Sequence, residues 1–117
     1  MDESEISARW ALNVGARPGI RIFRNEAGAG WVGQKVQQKD GLVVLRNARY
    51  VRFGLCPGSS DFIGWDHGRF LAVEMKTLTG KARADQMNFI EQVNKNGGLA
   101  RIVRDPNDVD WLGLAVS

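Results

Sequence analysis

The chain has 117 residues, of which 44% are hydrophobic and 25% charged, and this length predicts one domain spanning residues 1–117. No apolar run approaches the roughly 20 residues that cross a bilayer, and the acidic N-terminus lacks the pattern of a signal peptide. The single cysteine, Cys56, excludes an internal disulfide and a Cys-based zinc site, which agrees with a reducing compartment. Together with the lack of a spanning apolar run, this leads us to expect a cytoplasmic protein with no membrane partner. A net charge of +3 is compatible with a polyanionic partner.

The first predicted element is a helix over residues 2–14. Asp2 and Glu5 have the spacing of a capping box, and Gly15 is expected to end the helix in the left-handed conformation. Apolar residues spaced by four form one stripe: Ile6, Trp10 and Val14. Glu3 falls within that stripe, which leaves two interpretations: an acid that faces a buried site, or an acid that only interacts with the helix dipole.

A strand is predicted over residues 20–25, followed by a glycine-rich loop over 26–33. The loop lacks the Lys-Ser/Thr pair of a P-loop, so we expect no nucleotide cofactor and interpret the segment as a mobile loop over the active cleft. Trp31 is either a platform on which a base stacks or the hydrophobic anchor of the loop, and the anchor is favoured. Residues 34–40 are polar and expected to be exposed.

A hairpin is predicted next, with arms over 42–45 and 48–54 and a turn at Arg46-Asn47. In the second arm Arg49 and Arg52 flank an aromatic residue and are expected to line one edge. Such an edge presents its arginines to phosphates, or it is simply a solvated basic edge that opposes aggregation.

The central prediction is a second hairpin, with apolar arms over 62–65 and 70–75. His67-Gly68 suits a two-residue turn, and counting outward from that turn sets Asp61 directly opposite Glu74. His67 is interpreted as a turn residue and not as a general base, because it lies at the far end of the hairpin.

Glu74 and Lys76 are two residues apart in a strand, so both project from the face that Asp61 shares. The three side chains predict either a site for Mg²⁺ or Mn²⁺, since the ligands are hard oxygens without His or Cys, or a surface ion triad. The apolar residues around Glu74 predict a strand covered on both faces, which favours the metal site.

The last third of the chain predicts a turn over 77–81, a helix over 83–96 that ends at Gly97-Gly98, and a strand over 99–103. Gln86 shares an apolar helix face and is either a core amide satisfied by the main chain or a group that orients Lys76, a water or DNA. A short C-terminal helix is expected to open at Asp105-Pro106 and to carry four apolar residues: Val109, Trp111, Leu112 and Leu114.

Several short motifs occur in the order and at the spacing of a known family. They are Glu3-x-x-Ile6, Arg24-Asn25, Gly58-x-x-Asp61, Glu74-x-Lys76 and Gln86-x-x-Phe89. With these motifs the sequence resembles the virus-type replication-repair nuclease (VRR-NUC) family of the PD-(D/E)xK superfamily. Ser60 stands where that superfamily usually has proline.

The resemblance implies an α/β restriction-endonuclease-like core, with a mixed central β-sheet flanked by α-helices. It also implies a DNA endonuclease dependent on Mg²⁺ or Mn²⁺, in which Asp61, Glu74 and the backbone carbonyl of Met75 bind the metal. The residues assigned to catalysis are Lys76, Glu3 and Gln86, and those assigned to DNA binding are Arg24, Arg49, Arg52 and Lys81.

A chain this small presents one active site, whereas cutting both strands of a duplex or junction needs two, so we expect a homodimer. The resemblance further implies activity on branched DNA such as four-way (Holliday) junctions, in DNA repair or phage replication, in the cytoplasm of a bacterium or of a virus-infected host cell. Two alternatives stay open at this point. One is a catalytically inactive DNA-binding module, and the other is a sequence-specific, restriction-type nuclease.

Overall fold

The computed structural model describes residues 1–114 and contains a mixture of helices and strands. In chain order these are α1 (Glu3–Gly15), β1 (Ile20–Arg24), β2 (Gly28–Lys39), β3 (Leu42–Phe53), β4 (Phe62–Asp66), β5 (Arg69–Met75), α2 (Ala84–Lys95) and β6 (Leu99–Val103). The predicted positions of both helices, β1, β4, β5 and β6 are confirmed to within about two residues. Within these residues, no helix is long and apolar enough to cross a membrane.

A four-stranded sheet with the order β1-β4-β5-β6 forms the centre of the fold. β1, β4 and β5 are antiparallel neighbours, whereas β5 and β6 are parallel. Leu71 and Val73 pack against α1 on one face of β5, while Ala72 packs against α2 on the other. The mixed sheet between helices confirms the predicted α/β class.

The β4–β5 hairpin has the predicted register. His67 and Gly68 form the turn with φ values of 49° and 84°, the left-handed conformations that a tight hairpin turn requires. Pairing runs from Asp66 opposite Arg69 to Phe62 opposite Val73. Asp61 immediately precedes Phe62, so the register carries it to the level of Glu74.

The predicted start of α1 is confirmed, but its predicted end is wrong. Asp2 Oδ1 accepts a hydrogen bond of 2.8 Å from the backbone N–H of Glu5, and the apolar stripe is buried. Gly15 remains inside the helix, and Ala16 caps it with φ −96°. The Arg17 N–H bonds to the Val14 carbonyl in a tighter final turn, so no left-handed residue is needed.

Residues 26–54 differ most from the prediction. β2 and β3 form a separate two-stranded antiparallel sheet that turns at Asp40-Gly41, with φ values of 51° and 78°. We call residues 28–53 the ribbon. The predictions of a glycine-rich loop and of a short hairpin that turns at Arg46-Asn47 are therefore both wrong. Residues 34–40 are exposed, as expected.

Local signals in the ribbon have a different structural meaning from the one predicted. Asn47, with φ 54°, lies at a β-bulge, where Val32 pairs with Arg49 but Gln34 pairs with Arg46. A Cβ added at Gly28 would approach the Phe53 ring to 3.0 Å, so this glycine makes room for an aromatic side chain on the paired strand.

The predicted C-terminal helix is wrong, because residues 104–114 form a series of turns. The Asp105 carboxylate accepts a hydrogen bond of 2.8 Å from the Asn107 N–H, a local bond that competes with helix formation. Trp111 and Leu112 are nevertheless buried in the α1 side of the core. Leu114 is exposed.

Candidate active site

Three charged side chains meet at the open end of the β4–β5 hairpin. Asp61 precedes β4, Glu74 lies near the end of β5, and Lys76 follows β5. Lys76 Nζ is 3.6 Å from Glu74 Oε1. Asp61 Oδ2 accepts a hydrogen bond of 2.8 Å from the Met75 N–H, which fixes the Asp61 carboxylate against the end of β5.

The Glu74 carboxylate is almost completely buried, with 2% exposure. Gln86 Nε2 on α2 donates a hydrogen bond of 2.8 Å to Glu74 Oε1, whereas Oε2 is buried with no partner among residues 1–114. Burial, followed by repulsion from Asp61, raises the pKa of Glu74 from 4.5 to about 7, against the opposing effect of Lys76. A buried carboxylate with an unpaired oxygen beside a second carboxylate is a position where a cation is strongly favoured.

The donor atoms at this position suit a hard divalent cation. Asp61, Glu74 and the Met75 carbonyl offer only oxygen, which is the preferred ligand of Mg²⁺ and Mn²⁺. Across residues 1–114, no three His, Cys, Asp or Glu side chains are grouped closely enough to hold a metal ion by themselves. One or two carboxylates completed by water and phosphate oxygens are typical of Mg²⁺ sites at phosphates, so this donor set fits.

Glu3 and Arg24 line one wall of the site. Both are exposed, and together with Asp61 they border a cleft of about 380 Å³. Glu3 also contributes to the raised pKa of Glu74. The Arg24 guanidinium carbon lies 5.0 Å from the centre of the Phe62 ring. Glu3 therefore lies at the cleft as an exposed acid, not on the buried side of α1.

The remaining predicted residues fall in different places. Gln86 donates a hydrogen bond to Glu74 and accepts one from the Arg83 N–H, so it serves a carboxylate and a helix end. Lys76 approaches the same Glu74 oxygen, at 3.6 Å. Lys81 is exposed in the segment of the chain that joins β5 to α2. Arg49 and Arg52 lie on the ribbon, and because they are three residues apart in a strand they point to opposite faces.

The interpretation of Trp31 as the hydrophobic anchor of a loop is wrong, because Trp31 lies in β2. Its side chain is 65% exposed on the ribbon. The ring packs edge-on against Tyr50, with ring centres 5.4 Å apart, on the strand position directly opposite.

Asn25 is a residue whose role the sequence did not reveal. It is buried, and its side chain donates to Ser59 Oγ and to the Ser60 carbonyl, both at 2.8 Å, while accepting from the Leu55 N–H at 2.9 Å. Its own N–H bonds to the Asp61 carbonyl at 2.6 Å. Asn25 thus fixes the loop that carries Asp61, and the only sequence signal was its place in the Arg24-Asn25 motif.

Arg104 supports the other side of the site. Its Nη1 donates hydrogen bonds of 2.6 Å to the carbonyls of Thr77 and Gly80, in the turn that follows Lys76. A single arginine far along the chain gave no sequence signal for this contact.

His67 lies at the far end of the hairpin, as predicted. Its Nδ1 is 2.6 Å from Asp66 Oδ1, and Asp66 Oδ2 accepts a hydrogen bond from the Gly113 N–H. The pair joins the turn to the C-terminal segment, which is a structural contact remote from Glu74.

The raised pKa of Glu74 makes the stability of the metal-free protein depend on pH. The folded value of about 7 exceeds the ordinary 4.5, so the stabilising contribution is complete below pH 4.5 and is lost as the pH rises through 7. In EDTA, the free energy of unfolding of the wild type should fall by about 3 kcal/mol relative to Glu74→Gln over this interval. Urea denaturation at successive pH values measures the free energy of unfolding of both proteins. If this free energy depends on pH in the same way in the wild type and in Glu74→Gln, the prediction is wrong.

Ser59 and Ser60 are adjacent buried hydroxyls with opposite hydrogen bonding. Ser59 Oγ donates to the Cys56 carbonyl at 2.7 Å and accepts from Asn25, whereas Ser60 Oγ, on a residue only 1% exposed, has no partner among residues 1–114. We expect Ser60→Ala to raise the free energy of unfolding by about 1 kcal/mol and the matched Ser59→Ala to lower it by about 1–2 kcal/mol. Chemical denaturation of both variants checks the signs.

A larger cavity, of about 650 Å³, lies between α1, the turn at residues 77–79 and residues 104–107. It is lined by none of the three converging charged residues. The unpaired buried carboxylate, not the cavity volume, therefore identifies the candidate active site.

A mixed sheet between helices, with Asp, Glu and Lys at the open end of two adjacent strands, defines the restriction-endonuclease-like class of nuclease domains. The family model described as the VRR-NUC domain matches residues 31–105, more than half of the chain, so the chain belongs to the VRR-NUC family. The matched range includes Asp61, Glu74 and Lys76, and excludes Glu3 and Arg24. No curated protein matches the chain. Family membership indicates a nuclease-type, DNA-binding domain.

Proposed function

We propose that residues 1–117 act as one nuclease domain that hydrolyses DNA phosphodiester bonds with Mg²⁺ or Mn²⁺. The observation that carries this proposal is the unpaired Oε2 of buried Glu74 beside Asp61, in a domain of a nuclease family. In the proposed site Asp61, Glu74 and the Met75 carbonyl hold the cation.

The cation, when bound, lowers the pKa of a coordinated water and neutralises charge that builds up on the phosphate. Lys76 is held near the Glu74 carboxylate, where its ammonium orients the attacking water and offsets negative charge in the transition state. Gln86 occupies Glu74 Oε1 and so directs the other oxygen to the cation. Glu3, at the cleft wall, is proposed to hold a further water.

DNA is proposed to bind across the cleft through exposed basic side chains. These are Arg24, Arg49, Arg52 and Lys81. The preferred substrate is proposed to be branched DNA such as a four-way junction. Because one domain presents one site and a junction needs two cuts, the active form is proposed to be a homodimer, acting in the cytoplasm in DNA repair or phage replication.

Metal binding is tested by thermal denaturation with increasing Mn²⁺ or Mg²⁺. A ligand that binds only the folded state raises the melting temperature in a concentration-dependent way, so we expect this rise in the wild type and its loss in Asp61→Asn. The matched control is Asp110→Asn, which removes an exposed carboxylate outside the cleft. Equal shifts in wild type and Asp61→Asn would contradict the assigned site.

Cleavage is tested with labelled duplex, flap, fork and four-way junction DNA beside a plasmid. Preferential cutting of the junction, dependent on Mg²⁺ or Mn²⁺ and abolished by EDTA, is the expected result. Discrete plasmid fragments would instead indicate a sequence-specific nuclease. Binding without cleavage in any metal would indicate an inactive DNA-binding module.

A further inference from the structure

The ribbon extends away from the body of the protein. β2 and β3 pair with each other and make few contacts with any other element. Nearly every residue of both strands is exposed, although an isolated two-stranded hairpin is only marginally stable in water. Twelve residues per strand give a length of about 40 Å. The described residues measure 55 × 30 × 29 Å, an elongated shape that leaves the ribbon available to a partner.

The ribbon also holds the positive charge of the chain. It contains one acid, Asp40, and five basic residues: Lys35, Lys39, Arg46, Arg49 and Arg52. Its net charge is therefore +4, whereas the whole chain carries +3, so the rest of the chain sums to −1. Within residues 1–114, none of these five basic side chains forms an ion pair. Unpaired basic charge of this kind suits a polyanionic partner outside the protomer.

The shape of the ribbon matches duplex DNA. The major groove admits a two-stranded β-ribbon and has phosphates along both of its edges. Basic side chains on both faces, such as Arg49 on one and Arg52 on the other, suit contact with two phosphate strands at once. This arrangement of basic side chains on both faces is thus suited to a groove.

The base of the ribbon lies beside the N-terminal end of α2, the helix that supplies Gln86 to the candidate active site. Arg52 and Gly28 line a groove of about 560 Å³ with Arg83, the residue that caps α2. Gln86, in the first turn of α2, contacts Glu74. A duplex that follows the ribbon therefore reaches the end of α2 that carries Gln86.

The charge of the ribbon opposes its pairing with the ribbon of a second copy of the chain. Two ribbons of +4 would repel each other on contact, and like charges placed together at an interface cost several kcal/mol. The body, at −1, offers little compensating charge.

We propose that the ribbon is a duplex-binding arm that enters the major groove beside the cleavage point and reaches up to about ten base pairs from it. This inference rests on the proposed nuclease function, since it assigns an element to the binding of its substrate. Lys35 and Lys39, in the outer half of β2, bind phosphates distant from the reacting one.

The test compares the salt dependence of DNA binding in EDTA, by fluorescence anisotropy with a labelled duplex longer than the ribbon. The slope of log affinity against log salt concentration is negative, and each lost phosphate contact reduces its magnitude by about 0.9. The double variant Lys35→Gln/Lys39→Gln should therefore reduce the magnitude of the slope by about 2. The matched control, Arg21→Gln/Lys95→Gln, removes two exposed charges from the body and should leave the slope unchanged. Lys35→Arg/Lys39→Arg should retain the wild-type slope.

Three results would refute the proposal of a duplex-binding arm. They are a wild-type salt slope in Lys35→Gln/Lys39→Gln, an equal reduction of the slope in Arg21→Gln/Lys95→Gln, or sedimentation showing that a dimeric wild type becomes a monomer in Lys35→Gln/Lys39→Gln. The last would assign the ribbon to an interface between copies. Cleavage by the wild type is measured separately. If the wild type cleaves DNA but the ribbon variant has the wild-type salt slope, only the proposal of a duplex-binding arm is refuted. If the ribbon variant changes the salt slope but the wild type does not cleave DNA, only the proposed nuclease function is refuted.

Discussion

Glu74→Gln is expected to abolish DNA cleavage while the domain remains folded. The amide keeps the size of the side chain and an oxygen for the Gln86 hydrogen bond, but it removes the charge that holds the cation. Loss of the several kcal/mol that a metal ion contributes to transition-state stabilisation corresponds to about a thousandfold or more in rate. Asp61→Asn should have the same effect. Single-turnover cleavage of a labelled four-way junction with Mn²⁺ measures both.

Lys95→Gln is the matched control for these variants, since it changes one exposed charge at the end of α2 and should cleave like the wild type. Circular dichroism melting verifies that each variant is folded. At neutral pH in EDTA, Glu74→Gln should melt above the wild type because it removes the cost of burying a negative charge and the repulsion between this charge and Asp61. Near-wild-type cleavage by Glu74→Gln, or cleavage by the wild type in EDTA, would refute the assigned metal site.

Asn25→Ala is expected to weaken both stability and cleavage. It removes three side-chain hydrogen bonds and leaves their partners unsatisfied in the loop before Asp61, at a cost of about 3 kcal/mol or more. Ser60 is adjacent to Asp61, so displacement of this loop moves the carboxylate, and a misplacement of about 1 Å reduces a rate by about a hundredfold. Urea denaturation and single-turnover cleavage measure the two effects.

Asn94→Ala separates a loss of positioning from a general loss of stability. Asn94 bonds to both the N–H and the carbonyl of Ala100, at 2.8 and 3.0 Å, and joins α2 to β6 away from the carboxylates. It should be destabilised but should cleave normally at a temperature where it is folded. If Asn25→Ala cleaves as fast as Asn94→Ala at the same folded fraction, Asn25 has no positioning role.

The β4–β5 hairpin shows what short-range chemistry can predict. His67-Gly68 is the one place between two apolar runs where consecutive left-handed residues are readily accommodated, and this fixes the register. With the register fixed, the two-residue period of a strand brings Asp61, Glu74 and Lys76 together by counting. The apolar stripe on α1 was equally predictable from the sequence, because helical periodicity and an Asp cap are local properties.

The ribbon shows where such signals are ambiguous. Asn47 favours a left-handed conformation, and that conformation serves a turn or a bulge equally well. The choice depends on whether β2 pairs along the whole of β3, which is a contact between distant residues. The glycines at 28 and 30 were likewise ambiguous, because glycine is common both in loops and where a strand makes room for a neighbouring side chain. In the structure they lie in β2 and accommodate the Phe53 ring of β3.

The sequence by itself determined the helix stripe, the hairpin register and the charged residues that meet at its open end, because each depends on neighbours a few positions apart. Only the tertiary structure decided how those residues are held and charged. Asn25 reaches a loop 34 residues away, and Gln86 reaches Glu74 from the next helix. The raised pKa of Glu74 arises from burial and from Asp61, which immediately precedes the adjoining strand, and neither effect exists until the sheet and helices have packed.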